Sequence, residues 1–224
     1  MTPGREHLVF VHGLWMTGLE ALAFRRRMQA HGYSTSVFSY RTTREPLERT
    51  VSRLHEAVND LQRTGEMDRV HIVGHSLGGI VTLAYFDRHA ERTPPGRVLL
   101  LGSPVQGSAA ARRLQAHPIG RSLLGPAAGA HLTDDTPRRW SGARDLGVIA
   151  GTLAVGVGRW IGGLPEPNDG TVALAETELP GARDTLHLPV GHMGMLVSRR
   201  VIEAAAGFLR DGYFPLSPRS TATS

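Results

Sequence analysis

Apolar residues fall along this chain in two alternating patterns. Short runs rich in Val, Leu, Ile and Phe recur at residues 8–11, 34–40, 70–73, 98–101, 146–153 and 186–190. Between most of them lie longer stretches whose apolar positions are three and four residues apart. A short continuous apolar run suits a strand buried on both faces, whereas three-to-four spacing gives a helix one apolar stripe. Helices are therefore predicted at 19–31, closed by Gly32, and at 46–62, where Leu47, Val51, Leu54, Val58 and Leu61 share a face and Pro46 suits the first turn. Others are predicted from Leu77 to about residue 90, on Leu77, Ile80, Val81, Ala84 and Tyr85, and over 195–209. Residues 104–144, rich in Gly, Pro, Ala and Arg, read as irregular. Strands alternating with helices imply one mostly parallel sheet covered on both sides.

One junction between the two patterns carries chemistry. The run Val70-His71-Ile72-Val73 stops at Gly74-His75-Ser76-Leu77-Gly78, and a helical pattern follows at once. Gly-x-Ser-x-Gly between a strand and a helix is the form of a nucleophile elbow, a tight turn that exposes a serine hydroxyl. Alone, the pentapeptide is also a plain Ser/Gly turn; its flanks favour the elbow. A serine needs a base, a group to orient that base, and donors for the oxyanion. Phe10-Val11-His12-Gly13-Leu14 ends the first strand, making the Leu14 N–H one candidate donor; the N–H of Leu77, after the serine, is the other. Among eleven histidines, His192 stands out in Gly191-His192-Met193-Gly194, between the last strand and the last helix. His75 occupies the variable motif position and should point away from substrate. Acid candidates between Ser76 and His192 are Asp87, Asp134, Asp135, Asp145, Glu166, Asp169, Glu176, Glu178 and Asp184. Asp145 and Asp184 precede strands, at the wrong sheet edge, and Asp87 sits in the elbow helix. Asp169, in Asn168-Asp169-Gly170, lies in the loop after the 146–153 strand, and the chain order Ser, Asp, His favours it over a bare surface turn.

These segments together resemble a small bacterial α/β-hydrolase of the serine esterase and lipase type. The matching stretches are Val-His-Gly-Leu-Trp (11–15), Gly-His-Ser-Leu-Gly-Gly (74–79), Asn-Asp-Gly-Thr-Val (168–172) and Val-Gly-His-Met-Gly-Met-Leu (190–196). The resemblance implies Ser76 as nucleophile, Asp169 as acid, His192 as base, and Leu14 and Leu77 as oxyanion donors. His-Gly arrives too early for two preceding strands, so a trimmed sheet of about six parallel strands is expected over a domain of 1–214, with 104–144 as a short cap. Trp15, Met16, Met193 and Met195 flank the reacting groups and are the expected substrate-binding residues, with an apolar wall from 154–161.

Composition narrows the picture. The chain has 224 residues, no cysteine and a net charge of +5, all its basic side chains being arginine. Disulfides, a thiol nucleophile and thiolate metal sites are excluded. No metal or cofactor is implied, and the charge is too dispersed for a nucleic-acid surface. The expected partner is a small ester or lipid. Six arginines (112, 113, 121, 138, 139 and 144) among leucines in the cap could meet anionic lipid, although a solvated cover is the plainer reading. No signal-peptide h-region and no membrane-length apolar stretch is visible, so a cytoplasmic location is expected. Residues 215–224, rich in Pro, Ser and Thr, read as a disordered tail.

Overall fold

The computed structural model describes residues 5–65, 67–89, 93–134, 136–155 and 164–215. Its strands are β1 (Glu6–Val11), β2 (Ser34–Phe38), β3 (Arg69–His75), β4 (Val98–Leu101), β5 (Leu146–Gly151) and β6 (Asp184–Leu188). They form one sheet in the order β2-β1-β3-β4-β5-β6, with every pair parallel. The helices are α1 (Leu22–Ala30), α2 (Leu47–Arg63), α3 (Leu77–His89), α4 (Ala109–Gln115), α5 (Pro118–Leu132) and α6 (Arg199–Asp211). This is the α/β-hydrolase fold in the trimmed, six-stranded form. Among the described residues no helix is long and apolar enough to cross a membrane.

The central runs Leu8–Val11 and Val98–Leu101 are apolar at every position because the sheet is covered twice there, whereas the edge strands carry Ser34, Thr35, Ser36, Thr185 and His187. Leu8, Phe10, Val73, Leu99, Leu101 and Ile149 pack with Phe24 and Met28 of α1 and Val201, Ile202 and Phe208 of α6. The alternate residues Val9, Val11, Val70, Ile72, Leu100 and Val148 pack with Val51, Leu54 and Val58 of α2 and Tyr85 and Phe86 of α3. Period-two alternation thus sends neighbours to opposite layers, and both layers are apolar.

Sheet order positions the site. The connection from β1 runs outward to β2, whereas that from β3 runs the other way to β4. The loops leaving β1 and β3 therefore part, and a crevice opens at the carboxyl ends of those two strands. Register brings the ends level: Val11 pairs with Gly74, His75 with Leu101, and Gly151 with Leu188.

The strands expected at 146–153 and 186–190 run Leu146–Gly151 and Asp184–Leu188, the helix expected at 19–31 opens with a 3₁₀ turn, Leu19–Ala21, and three further elements differ more. Residues 104–144 are not irregular, for they carry α4 and α5. Gly125 and Pro126 interrupt α5 and hid its period; Gly125 has φ 70° and ψ 164° inside the helix. The strand expected at 34–40 stops at Phe38, because Tyr40 turns to stack on His12, ring centroids 4.6 Å apart. The last helix does not begin near 195. A 3₁₀ turn, Met193–Leu196, comes first, and α6 starts at Arg199 with Ser198 Oγ accepting the Val201 N–H. The tail expected at 215–224 lies, Pro215 apart, outside the described residues.

The first turn of α3 rests directly on the end of β1. A Cβ at Gly78 would lie 2.1 Å from the Val11 carbonyl oxygen and 2.8 Å from that of His12. Gly78→Ala should therefore force two backbones apart, at about 1–3 kcal/mol for overpacking. By calorimetry its Tm should fall by roughly 2–4 °C for each kcal/mol lost at this chain length. Gly194→Ala, with no atom within 4 Å of the added methyl, should leave Tm unchanged.

Candidate active site

Ser76 sits between the last residue of β3 and the first of α3, with φ 54°. A left-handed backbone at a residue with a Cβ costs on the order of 1–3 kcal/mol and persists only where surroundings impose it. Here the Ser76 N–H donates to Leu101 O at 3.0 Å, and Ser76 O accepts the Gly79 N–H at 2.9 Å. The turn is pinned from both sides.

Asp169 and His192 meet beside it. His192 Nδ1 lies 2.7 Å from Asp169 Oδ2, and both side chains are buried. The other carboxylate oxygen, Oδ1, accepts the N–H groups of Thr171 at 2.9 Å and Val172 at 2.7 Å. His192 N–H donates to Asp169 O at 2.8 Å, so main chain and side chains hold the pair together. A carboxylate only accepts, which puts the proton of the neutral ring on Nδ1 and leaves the Nε2 lone pair free. Gly102, at the end of β4 with φ 53°, makes room: a Cβ there would lie 3.0 Å from Asp169 Oδ2 and 3.2 Å from His192 Nδ1.

The loop after β1 is held by His12. Tyr40 N–H donates to His12 Nε2 at 3.3 Å, so Nδ1 carries the proton and donates to Gly13 O at 3.0 Å. Gly13 O also accepts the Met16 N–H at 3.3 Å. The peptide is planar and trans, so fixing Gly13 O aims the Leu14 N–H the opposite way. Burial pushes the His12 imidazole below its ordinary pKa, which keeps this arrangement neutral. The Leu77 N–H belongs to the first turn of α3, where backbone donors have no partner inside the helix.

His75 points away from the crevice, as the motif position predicts. It is fully buried, 4.7 Å from the His192 ring between centroids, and its Nε2–H donates to His192 O at 3.3 Å. Burial first, and the neighbouring His192 second, push its pKa down to about 3. Its role in seating the loop of His192 has no sequence signal beyond the motif.

Glu176 is the second buried carboxylate. It accepts Ala109 N–H at 2.6 Å, at the start of α4, and Ala173 N–H at 3.0 Å. It therefore ties the cap to the loop that carries Asp169. Burial raises its pKa against the lowering effect of those two bonds. Asp145 lies at the opposite sheet edge, 3.2 Å from Arg97 and 2.9 Å from Arg183.

Ser76 and His192 open onto one mostly apolar cavity of about 180 Å³. Leu14, Trp15 and Met16 line it from the β1 loop, Ala110, Ala111, Leu114, Leu124 and Leu132 from the cap, and Thr171, Val172 and Met193 from the remaining loops. Met195, expected to touch substrate, does not line it. Two residues on in a 3₁₀ turn, Met195 faces opposite to Met193 and is buried in the core with Leu196 and Val201. The apolar wall expected at 154–161 lies, beyond Val155, outside the described residues. Two cap arginines face inward: Arg138 bonds Val105 O and Asp134, and Arg144 lies 5.0 Å over the Phe86 ring.

Residues 8–214 match the model of the alpha/beta hydrolase family, and the chain belongs to that family. No curated protein matches the sequence. Among solved structures, the mature form of a lipase from Bacillus licheniformis is similar, with a TM-score of 0.71 and 18% identity over 93% of this chain and 92% of that one. A metagenomic carboxyl esterase has a TM-score of 0.64 at 23% identity, over 86% of this chain and 65% of its own. An esterase from Exiguobacterium antarcticum has 0.64 at 16%, over 92% and 93%. At such identities the likeness is one of fold.

The buried His75 ring yields a pH dependence. Unfolded, it takes up a proton below its ordinary value of 6.5; folded, it stays neutral down to about 3. The unfolded state then binds more protons, so stability falls as pH drops through that window, by about 1.4 kcal/mol per pH unit for one such group. His75→Gln, which keeps an N–H donor and does not titrate, should lose about 2 kcal/mol less than wild type between pH 7.5 and pH 5 in urea melts. Equal losses would mean that the ring titrates alike in both states.

Proposed function

We propose that this protein is a serine hydrolase of carboxylic esters with short to medium acyl chains. The observation that carries the reading is the buried Asp169–His192 pair, 2.7 Å apart, beside a left-handed Ser76 on the same apolar cavity. Ser76 Oγ attacks the ester carbonyl while His192 Nε2 takes its proton. The oxyanion forms between the N–H groups of Leu14 and Leu77. The imidazolium, steadied by Asp169, returns the proton to the departing alcohol, leaving an acyl-enzyme. Water attacks that ester through the same base, and Ser76 regains its proton.

Cavity size supports the acyl range. A dry cavity near 150 Å³ takes a benzene ring, so 180 Å³ takes a chain of about six to seven carbons. Each methylene buried there is worth about 0.8 kcal/mol until the wall is reached. A second reading, action at a lipid surface, rests on Ile119 and Leu123 of α5, which are 77% and 53% exposed.

Ser76→Ala should lose fluorophosphonate labelling and ester turnover by several orders of magnitude. Asp169→Asn should cut kcat by up to roughly 10⁴-fold by favouring the wrong tautomer, whereas Asp145→Asn should stay near wild type. Full turnover in Ser76→Ala would end the reading.

A second set of assays separates the two substrate classes. With soluble p-nitrophenyl esters, kcat/KM should climb through the first few carbons and then drop, with no interface required. Turnover only on emulsified long-chain ester would favour the lipid-surface reading instead.

A further inference from the structure

Trp15 follows the proposed oxyanion residue, and with Ser76 it is one of two non-glycine residues at positive φ among those described, at 58°. Its side chain is 54% exposed, so burial does not hold it there. Hydrogen bonds do. The backbone N–H donates to Thr42 Oγ1 at 3.3 Å, and the indole N–H donates to Leu123 O in the cap at 2.9 Å. An exposed indole ordinarily turns its N–H to water; this one is spent on a backbone carbonyl more than a hundred residues away in sequence.

That carbonyl is available for a structural reason. In an unbroken helix Leu123 O would accept the Ala127 N–H, but the chain leaves helical angles at Gly125, between the two. Carbonyls just before such a break lack their usual partners. The break itself is seated on the neighbouring loop: a Cβ at Gly125 would lie 2.3 Å from Thr43 O. The loop that receives α5 at Thr43 is thus the loop that holds Trp15 at Thr42. Leu124, beside the bonded carbonyl, is buried in the cavity wall.

We propose that the Trp15 indole is a clasp between the oxyanion loop and the cap, and that it sets the upper limit of acyl-chain length. The specificity part rests on the esterase reading. A chain that fits the cavity leaves the clasp closed. A longer chain must displace Leu124 and the broken segment of α5, and so breaks the bond from Trp15. Losing one such hydrogen bond shifts the closed-to-open ratio by about fivefold.

Trp15→3-benzothienylalanine tests this, since it keeps both fused rings at the cavity wall and replaces only the N–H, by sulfur. Amide exchange of peptides covering 118–132 should quicken by about fivefold, with that of β3 and β4 unchanged. The kcat/KM ratio of p-nitrophenyl decanoate to butyrate should rise by a similar factor. Unaltered exchange in 118–132 overturns the clasp. Faster exchange with an unaltered ester ratio overturns its part in selectivity. If wild type shows no Ser76-dependent hydrolysis while exchange in the variant quickens, the esterase reading fails and the clasp stands.

Discussion

Backbone touches backbone where the first turn of α3 meets the end of β1, and every feature of the site descends from that contact. The absence of a Cβ at Gly78 lets the helix close on the Val11 carbonyl oxygen. Ser76 is brought beside the loop that begins at His12. Parallel pairing of β1 with β3 sets the height of the two loops, and the opposite directions of their outgoing connections keep the space above them clear. A wider gap here would separate the elbow from the loop that faces it, whatever the remaining side chains did.

Around that contact the site is a set of buried polar groups whose partners are nearly all backbone. His12 secures Gly13 O, Asp169 collects two N–H groups of its own turn, Glu176 binds one N–H at the start of α4 and one in its own loop, and His75 holds the carbonyl of His192. Buried polar atoms are costly unless paired. Each pair therefore fixes a loop that periodicity alone would leave free. The imidazoles of His12 and His75 are kept neutral by burial, so neither places a positive charge against His192.

The cap has a different construction. It rests on Leu77, Ile80 and its own leucines and alanines, and its helix is broken midway. Its hydrogen bonds to the rest include those of Glu176 to Ala109 and of Trp15 to Leu123, with Gln106 on Glu178 and Trp140 on Pro180 at its flanks. The flanks of this cover are part of the sheet's own layer, where Val105 and Trp140 pack with Phe86, so a displacement that spares the sheet is confined to α4 and α5.

Much was written in the sequence, since strand runs and helix stripes are local and one strained turn has few sequence solutions. The alternation of strands and helices along the chain, the elbow at Ser76 and the short list holding Asp169 and His192 all follow from that. What the sequence left open depended on groups distant in the chain. The cap helices were hidden because Gly125 and Pro126 break the period that would reveal them, and packing on Thr43 restores what propensity does not supply. Met193 and Met195 look equivalent in sequence; a single 3₁₀ turn sends one to the cavity and the other to the core. The 2.7 Å approach of His192 to Asp169 and the reach of Trp15 to Leu123 join segments that have no local sequence signal for each other. Only the closing of the chain on itself could decide them, because their partners are backbone atoms and carboxylates that any sequence carries and only one tertiary arrangement brings within hydrogen-bond distance.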